Sequence, residues 1–149
     1  MSKVSTQITT PKAVISGVLM NLRNGCFVDA SAHFAQEFRF TDHGIGLEFK
    51  DQARLTEFFA KAREFYPDSS LTANRVFTSG DHVVVEWTRR ATMTEPFYGG
   101  MSIEVPVSVQ GASIVRTQEG EIIDWADYYD GLKSRRTALA AHFQEWFEL

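Results

Sequence analysis

The segment LTANRVFTSGDHVVVEWTRRATM, residues 71–93, changes the periodicity of the chain and predicts the type of fold. From Leu71 onward the pattern becomes strand-like, with the period of two that is typical of a β-strand with one buried face. The pair Ser79-Gly80 interrupts this pattern, as a turn between two consecutive strands does. We therefore predict two antiparallel strands, over residues 71–78 and 81–93.

Two more strand-like segments follow, VPVSVQGASIVRT at residues 105–117 and EIIDWADYY at residues 121–129. The sequence EPFYGG, residues 95–100, separates the first of them from the preceding strand, and Glu119-Gly120 separates the two from each other. Such glycine-containing interruptions are typical of turns between strands. The second half of the chain is therefore predicted to contain four consecutive antiparallel strands.

Helical periodicity marks the chain on both sides of these strands. Thr10 followed by Pro11 is a favourable N-cap and first-turn pair, and apolar residues then recur at helical spacing. The predicted helical and N-terminal elements are a helix from Pro11 that ends at Asn24-Gly25, a short helix from Asp29 to Phe34, a strand and loop over residues 37–49, a helix from Asp51 to Tyr66, and a closing helix after Gly131. Helices followed by a strongly curved meander predict an α+β cone, in which the sheet wraps round the helices and leaves a cavity.

Composition limits the classes of protein to consider. The chain has 149 residues, 44% of them hydrophobic, which suits one domain over residues 1–149. A net charge of −4 without a long basic segment argues against nucleic acid as a partner. The single cysteine, Cys26, cannot form an internal disulfide, and no stretch resembles a signal peptide or a membrane span. We therefore expect a cytoplasmic protein that does not bind membranes.

No sequence feature points to a metal or an organic cofactor. The histidines His33, His43, His82 and His142 lack the paired spacing of metal ligands, and Cys26 has no cysteine partner. A glycine-rich phosphate loop, a dinucleotide fingerprint and a Ser-His-Asp order are also missing from the sequence. We therefore predict a protein without cofactors.

The succession FYPDSSL, GDHVVVEWT and EGEIIDWADYYD, preceded by the loop DHGIG, resembles the SnoaL-like polyketide cyclases of the nuclear transport factor 2-like superfamily. That superfamily also contains ketosteroid isomerase and limonene epoxide hydrolase. The resemblance extends roughly from Pro11 to Lys133 and implies the same cone-shaped fold. It implies a reaction less specifically, because enzymes and non-catalytic binding modules share this scaffold.

Asp127 is the principal candidate for catalysis. In the family the acid/base carboxylate lies on the last strand, two residues after an aromatic residue, and the sequence WAD matches that pattern. Alternation places Ile123, Trp125, Asp127 and Tyr129 on one face of the strand. An acid among apolar neighbours has a raised pKa and can exchange a proton near neutral pH. The alternative is a structural carboxylate that hydrogen bonds hold in place.

Other positions depart from the relatives that the resemblance implies. The Arg-x-Asp pair of the epoxide hydrolases corresponds to Val85 and Trp87, so the charged triad of those enzymes is missing. Epoxide opening needs both a base and an acid, which argues against that reaction. Ser113 occupies the position where polyketide cyclases often have a histidine, and a hydroxyl cannot share proton transfer near neutral pH as imidazole does.

Asp42 is the second catalytic candidate. Phe40 and Asp42 match first-strand positions that hold tyrosine and asparagine in the epoxide hydrolases, so Asp42 is expected either to face Asp127 across the cavity or to serve as a turn residue. The pKa values of two carboxyl groups at short distance would separate, so that one group acts as an acid and the other as a base. His43 points away from the pocket if the strand continues, but the glycines after it would also let it reach the pocket mouth.

The aromatic content of 13% is sufficient either to line or to fill an apolar cavity for a flat or cyclic molecule. One hypothesis is a cofactor-independent cyclase or isomerase that acts on a carbonyl compound, with Ser113, Tyr129 or a protonated Asp42 as donor to the developing oxyanion. The other is a small-ligand-binding or accessory module without chemistry. The predicted ligand-binding residues are Phe40, His43, Phe59, Val85, Trp87, Val109, Ser113, Trp125 and Tyr129.

The outer face of the predicted sheet carries apolar residues opposite the pocket positions, such as Val84 and Ile114. The resemblance also implies dimers that form between sheets. We therefore expect a homodimer whose two subunits meet at the convex outer face.

Overall fold

The structure, a computed structural model, describes residues 10–96 and 100–132. The helices in this part of the chain are α1 (Pro11–Arg23), α2 (Phe27–Ser31) and α3 (Gln52–Phe65). The strands are β1 (Phe34–Asp42), β2 (Leu47–Phe49), β3 (Ser70–Ser79), β4 (His82–Pro96), β5 (Ser102–Gln118) and β6 (Glu121–Tyr129). The predicted α+β architecture, with N-terminal helices packed on a curved sheet, is confirmed.

The strands of the described residues form one six-stranded sheet in the order β2-β1-β6-β5-β4-β3. Each consecutive pair from β3 to β6 is antiparallel, as the sequence predicts. β1 forms an antiparallel hairpin with β2 and pairs with β6 in parallel. The sheet is therefore largely antiparallel, and its one parallel pair brings the first strand beside the last.

Helices α1 and α3 begin where capping chemistry favours a helix start. Thr10 Oγ1 accepts a hydrogen bond from the Ala13 amide at 3.2 Å, and Asp51 Oδ1 accepts one from the Arg54 amide at 2.9 Å. Each side chain satisfies an amide that the first helical turn leaves without a partner. The predicted positions of these two helices are therefore confirmed.

The apolar faces of α1 and α3 pack on the inner face of the sheet. Val14, Ile15 and Val18 of α1 and Leu55 of α3 are at most 2% exposed. Alternate residues of each strand point to the same face, so the strands supply a continuous apolar surface against these helices. The buried sheet residues of this core are Phe34, Phe38, Phe40, Val83, Val85, Trp87, Val107, Val109, Val115, Ile122 and Trp125.

The second helix lies earlier in the chain than the sequence predicts. It covers Phe27–Ser31 rather than residues 29–34. Phe34 is buried and begins β1, where its partner in the sheet register is Ile122 of β6. Pairing with a strand that is distant in sequence therefore takes Phe34 out of the predicted helix.

A β-bulge in β6 changes the face on which one predicted residue lies. The register of β6 with β5 shifts between Ile122 and Asp124, so Ile123 is the additional residue. Ile122 is fully buried, whereas Ile123 is partly exposed. The prediction that Ile123 shares the face of Trp125 is therefore wrong, because the bulge moves the alternation by one residue.

After β6 ends at Tyr129 the described chain continues into a turn over Gly131 and Leu132. The predicted closing helix after this turn, and the tip at residues 97–99, lie outside the described residues. Within residues 10–96 and 100–132, no helix combines the length and the apolar character needed to cross a membrane.

Candidate functional site

Four neighbouring strands bring a row of side chains together beneath the helices. In the sheet register Val85 of β4 pairs with Ser113 of β5, and Ser113 pairs with Asp127 of β6. Asp127 pairs on its other side with Asp42 of β1. Side chains at paired positions of adjacent strands lie on the same face. The two candidate carboxylates are therefore neighbours, although they are far apart in sequence.

A cavity of about 470 Å³ lies between this row and helices α1 and α3. Its volume is within the range of ligand pockets in proteins. Phe40 and Phe59 form part of the wall, with ring centroids 5.7 Å apart. In the described part of the chain the aromatic side chains thus line a cavity rather than fill it. The predicted site residues that line it are Phe40, Asp42, Phe59, Trp87, Ser113, Trp125 and Asp127.

Asp127 is held through one of its two carboxyl oxygens. Oδ1 accepts hydrogen bonds from the indole N–H of Trp125 at 2.7 Å and from the hydroxyl of Ser113 at 2.5 Å. The Ser113 oxygen accepts in turn from the indole N–H of Trp87 at 2.9 Å. No described residue forms a hydrogen bond with Asp127 Oδ2. This second oxygen can therefore interact with a molecule in the cavity.

Burial raises the pKa of the Asp127 carboxyl from 3.8 to about 6. Although the residue keeps some contact with the cavity, the surrounding protein removes most of the water that would stabilise its charge. The hydrogen bonds from Ser113 and Trp125 lower the pKa, the charge of Asp42 raises it and that of Arg89 lowers it. Because burial is the largest of these causes, Asp127 can change its protonation state close to neutral pH.

Asp42 lies in the same cavity and also shapes the turn that follows β1. Its Oδ1 accepts hydrogen bonds from the amides of Gly44 and Ile45 at 3.0 and 3.1 Å. Its Oδ2 accepts one from the Tyr129 hydroxyl at 3.0 Å, and the residue is only 4% exposed. Asp42 is therefore both a turn residue and a neighbour of Asp127. Because both of its oxygens already accept hydrogen bonds, its geometry suits positioning better than proton transfer.

Two glycines allow aromatic rings to approach the backbone closely. A Cβ atom at Gly111 would lie 2.5 Å from Cη2 of Trp87, and a Cβ atom at Gly44 would overlap Cζ of Tyr129. Any side chain at either position would therefore displace a ring. The two rings also contact each other, with centroids 5.8 Å apart. The positions of Trp87 and Tyr129, and hence of their hydrogen bonds, depend on these glycines.

Four of the predicted ligand-binding residues do not line the cavity. His43 is exposed and stacks on the Tyr128 ring, with centroids 4.4 Å apart, because alternation turns it away from Asp42. Val85 and Val109 are at most 4% exposed and belong to the packed core. Tyr129 is partly buried against that core. These placements correct the predicted lining, because packing covers three of the side chains and strand geometry turns the fourth away.

Arg89 lines the cavity but does not belong to the predicted site. It follows Trp87 by two residues on β4, and its guanidinium carbon lies 5.5 Å from the centroid of the Trp87 ring and 4.9 Å from that of Tyr129. Strand alternation places it on the same face as Val85 and Trp87, so a signal for it exists in the sequence. The pattern does not single it out, because a charged residue on a strand is usually solvated.

The sequence matches a known domain over most of its length. The profile of the SnoaL-like domain covers residues 19–125. The chain belongs to the SnoaL-like domain family. The predicted resemblance is thereby confirmed at the level of family and fold. No curated protein matches the sequence of this SnoaL-like domain significantly.

Solved structures resemble this SnoaL-like domain over nearly its whole length. A protein of Catenulispora acidiphila with a ketosteroid isomerase-like fold, solved in complex with trimethylamine, has a TM-score of 0.72 and 21% identity, covering 87% of this chain and 93% of that one. A Shewanella putrefaciens protein described as a SnoaL-like polyketide cyclase has a TM-score of 0.73 and 9% identity, covering 92% and 90%. AclR of Streptomyces galilaeus, described as a hydroxylase, has a TM-score of 0.69 and 16% identity, covering 86% and 84%. At these identities the similarity shows the fold alone.

The SnoaL-like domain thus presents a carboxyl group with a near-neutral pKa to an aromatic cavity. In the two described stretches of chain, no three His, Cys, Asp or Glu side chains are grouped so that they could hold a metal ion. The arrangement suits transfer of a proton between Asp127 and a ligand. It also suits binding without a reaction, because an aromatic cavity can hold a ligand without the help of an acid.

Proposed function

We propose that this SnoaL-like domain binds a small, mainly apolar or cyclic carbonyl compound and uses Asp127 as the acid/base group of a cofactor-independent cyclisation or isomerisation. The observation that supports this is the Asp127 carboxyl, which has a pKa raised to about 6 and an oxygen without a hydrogen-bond partner among the described residues. Phe40, Trp87 and Trp125 line the cavity beside it. These surroundings favour an apolar ligand and a proton carrier in one place.

In the proposed step, Asp127 Oδ2 takes a proton from the carbon next to the carbonyl group of the ligand. The electron pair of the broken C–H bond forms an enolate, and Asp127 becomes a neutral acid. Return of the proton to another carbon isomerises a double bond. Alternatively, attack of the enolate carbon on a second carbonyl group closes a ring, and Asp127 protonates the alkoxide that results. Neither route oxidises or reduces the ligand, so neither needs a redox cofactor.

A binding or accessory module without chemistry is the alternative function, and the engaged hydroxyl groups favour it. The Ser113 hydroxyl donates a hydrogen bond to Asp127, and the Tyr129 hydroxyl donates one to Asp42. An enolate oxygen needs a hydrogen-bond donor, and neither hydroxyl offers one while these bonds persist. The presence of Asp127 with a raised pKa favours the enzyme.

Hydrogen exchange into a ketone distinguishes these two functions. We expect the wild-type protein in D2O at neutral pH to accelerate deuterium incorporation next to the carbonyl group of 2-tetralone, measured by proton NMR. Asp127→Asn keeps the shape of the side chain but cannot carry the proton. Exchange should therefore fall by at least about 100-fold. Binding of the ketone should change little, because the ground-state contacts remain.

Asp124→Asn is the matched control for this experiment. Asp124 lies on the same strand, but it forms an exposed ion pair with Arg39 at 2.8 Å. This variant should exchange the ketone at the wild-type rate. If wild-type protein binds 2-tetralone without accelerating exchange, the binding module is the better description. Absence of binding would contradict the proposed class of ligand.

We also propose a homodimer that forms through the outer face of the sheet. Phe77 of β3, Val84 of β4 and Ile114 of β5 occupy paired positions and form an apolar row across three strands. Phe77 is 53% exposed and Ile114 is 42% exposed in the single chain. Packing of this row against a second copy would remove it from water.

Light scattering tests the dimer. One chain has a mass of 16.8 kDa, and the wild type should have twice this mass. Ile114→Glu places a charge in the row and should shift the mass towards that of a single chain, because burying the charge is unfavourable. A wild type that is monomeric at micromolar concentration would contradict the proposal.

The proposed location is the cytoplasm. Cys26 is exposed and has no disulfide partner, which suits a compartment that keeps thiols reduced. Neither nucleic acid nor a membrane surface is proposed as a partner, since the net charge is −4 and no long basic segment occurs.

A further inference from the structure

Arg89 is a cation in the cavity wall that carries no proton in the transfer proposed for Asp127, although its charge favours the ionised form of that carboxyl group. The residue is partly buried, and its guanidinium lies over the rings of Trp87 and Tyr129. None of the ion pairs among the described residues includes Arg89. Its charge acts on the Asp127 carboxyl group from a distance, and no described carboxylate lies within ion-pair distance of its N–H groups. A partly buried cation is more favourable when water or a ligand accepts hydrogen bonds from such groups.

The other arginines of the cavity have different surroundings. Arg63 donates hydrogen bonds to the carbonyl oxygens of Leu22 and Arg23 at 2.6 and 3.2 Å, where it complements the C-terminal end of α1. Arg23 itself is exposed. A guanidinium has several N–H donors, so Arg89 retains donors for a ligand even though it also interacts with Tyr129. Arg89 is therefore the cavity arginine best placed to bind one.

The cavity separates its positive and negative groups. Asp42 and Asp127 lie on β1 and β6, whereas Arg89 lies on β4, on the far side of β5. The carboxylates repel an anionic group and Arg89 attracts it, so such a group would bind at the β4 side. A guanidinium carries five N–H donors in one plane, and a carboxylate can accept two of them side by side.

We infer that Arg89 makes the cavity selective for ligands that carry a planar oxyanion, such as a carboxylate, at one end and an apolar ring at the other. The oxyanion binds the guanidinium of Arg89. The ring packs against the wall that Phe40 and Phe59 form, which brings the carbon skeleton towards Asp127. This inference rests on the proposed ligand-binding function and narrows its class of substrate.

Two probes of nearly equal shape test this selectivity: 2-naphthoate carries a carboxylate, and 2-acetylnaphthalene carries a neutral carbonyl group. Isothermal titration calorimetry at neutral pH should give a dissociation constant for wild-type protein at least about tenfold lower for 2-naphthoate. Arg89→Gln should remove this preference. Its affinity should fall about tenfold for the carboxylate and less than about twofold for the ketone.

Arg90→Gln is the matched control, because Arg90 is the next residue on β4 and is exposed. This variant should keep the preference. Arg89→Lys should retain part of it, since an ammonium group keeps the charge but loses the planar pair of donors. If Arg89→Gln does not fold, the lysine variant decides, and a preference equal to that of the wild type would count against the inference.

The outcomes separate this inference from the function on which it rests. Equal affinity of the wild type for both probes, or an equal loss of 2-naphthoate affinity in Arg90→Gln, would overturn the role of Arg89 and leave the proposed ligand site intact. Binding of neither probe to the wild type would overturn both.

Discussion

Asp42 and Asp127 occupy paired positions on adjacent strands, and the two carboxyl groups have different surroundings. Asp42 accepts hydrogen bonds on both oxygens, from two turn amides and from the Tyr129 hydroxyl. Asp127 accepts on Oδ1 alone, from Trp125 and Ser113. The hydrogen-bond donors around Asp42 thus suit it to stabilising a turn. Asp127 keeps an oxygen that accepts no hydrogen bond from the described chain.

The two carboxyl groups also influence each other. The charge of Asp42 is one of the causes that raise the pKa of Asp127, after burial. Burial, and then the charge of Asp42, raises the pKa of the Tyr129 hydroxyl. The Tyr129 hydroxyl therefore stays protonated and continues to donate a hydrogen bond to Asp42. Asp42 can thus assist the chemistry proposed for Asp127 through its charge, without moving a proton itself.

The largest expected effect is a loss of stability when Asp42 is replaced. Asp42→Ala removes the acceptor of three hydrogen bonds and leaves two turn amides and the Tyr129 hydroxyl without partners. We expect the free energy of unfolding to fall by about 3 kcal/mol, measured by urea denaturation. Asp124→Ala removes an exposed, ion-paired carboxylate and should cost less than about 1 kcal/mol. Equal costs for the two variants would mean that these hydrogen bonds contribute nothing to stability.

A somewhat smaller effect follows from the raised pKa of Asp127. A carboxyl whose folded pKa is about 6 instead of 3.8 stabilises the fold when it is protonated, and this stabilisation is lost as the pH rises from about 4 to about 6. The difference between these two pKa values corresponds to roughly 2 to 3 kcal/mol in the free energy of unfolding. Relative to the wild type, Asp127→Asn should therefore gain that much stability between about pH 4 and pH 7.

Urea denaturation of both proteins at the two pH values measures this gain. Ser108→Ala, at an exposed position of β5, should show no comparable dependence, because it removes no titratable group. A relative stability of Asp127→Asn that falls as the pH rises would identify Asp127 as a carboxylate held for structural reasons and would remove the basis of the proposed chemistry.

The smallest expected effect concerns the donors to Asp127 Oδ1. Ser113→Ala removes a hydrogen bond that favours the ionised carboxylate, so the pKa of Asp127 should rise further, by less than about 1 pH unit. Carbon-detected NMR titration of the carboxyl groups measures this change. Ser108→Ala, at an exposed position of the same strand, should leave it unaltered. An unchanged pKa in Ser113→Ala would mean that this hydroxyl does not stabilise the charge of Asp127.

Several features of the fold are predictable because their signals are local. The caps Thr10 and Asp51 mark helix starts, since a side chain there satisfies an amide only a few residues away. Alternation predicts the strands from β3 to β6 and places Asp127 on the face of Trp125. The same rule fails at Ile123, because a bulge depends on how two strands pair and not on the residues of one strand.

By itself, the sequence determined the two long helices, the antiparallel strands and the position of an acid among aromatic residues, since capping and alternation act between near neighbours. Only the tertiary structure decided that Asp42 lies beside Asp127, that His43 lies outside the cavity and that Arg89 lies over Tyr129. The physical reason is the pairing of strands: β1 pairs with β6 in parallel, and β4, β5 and β6 pair in antiparallel register. These pairings join segments far apart in the chain, and the hydrogen bonds and charges that meet there follow from their geometry in space rather than from spacing in sequence.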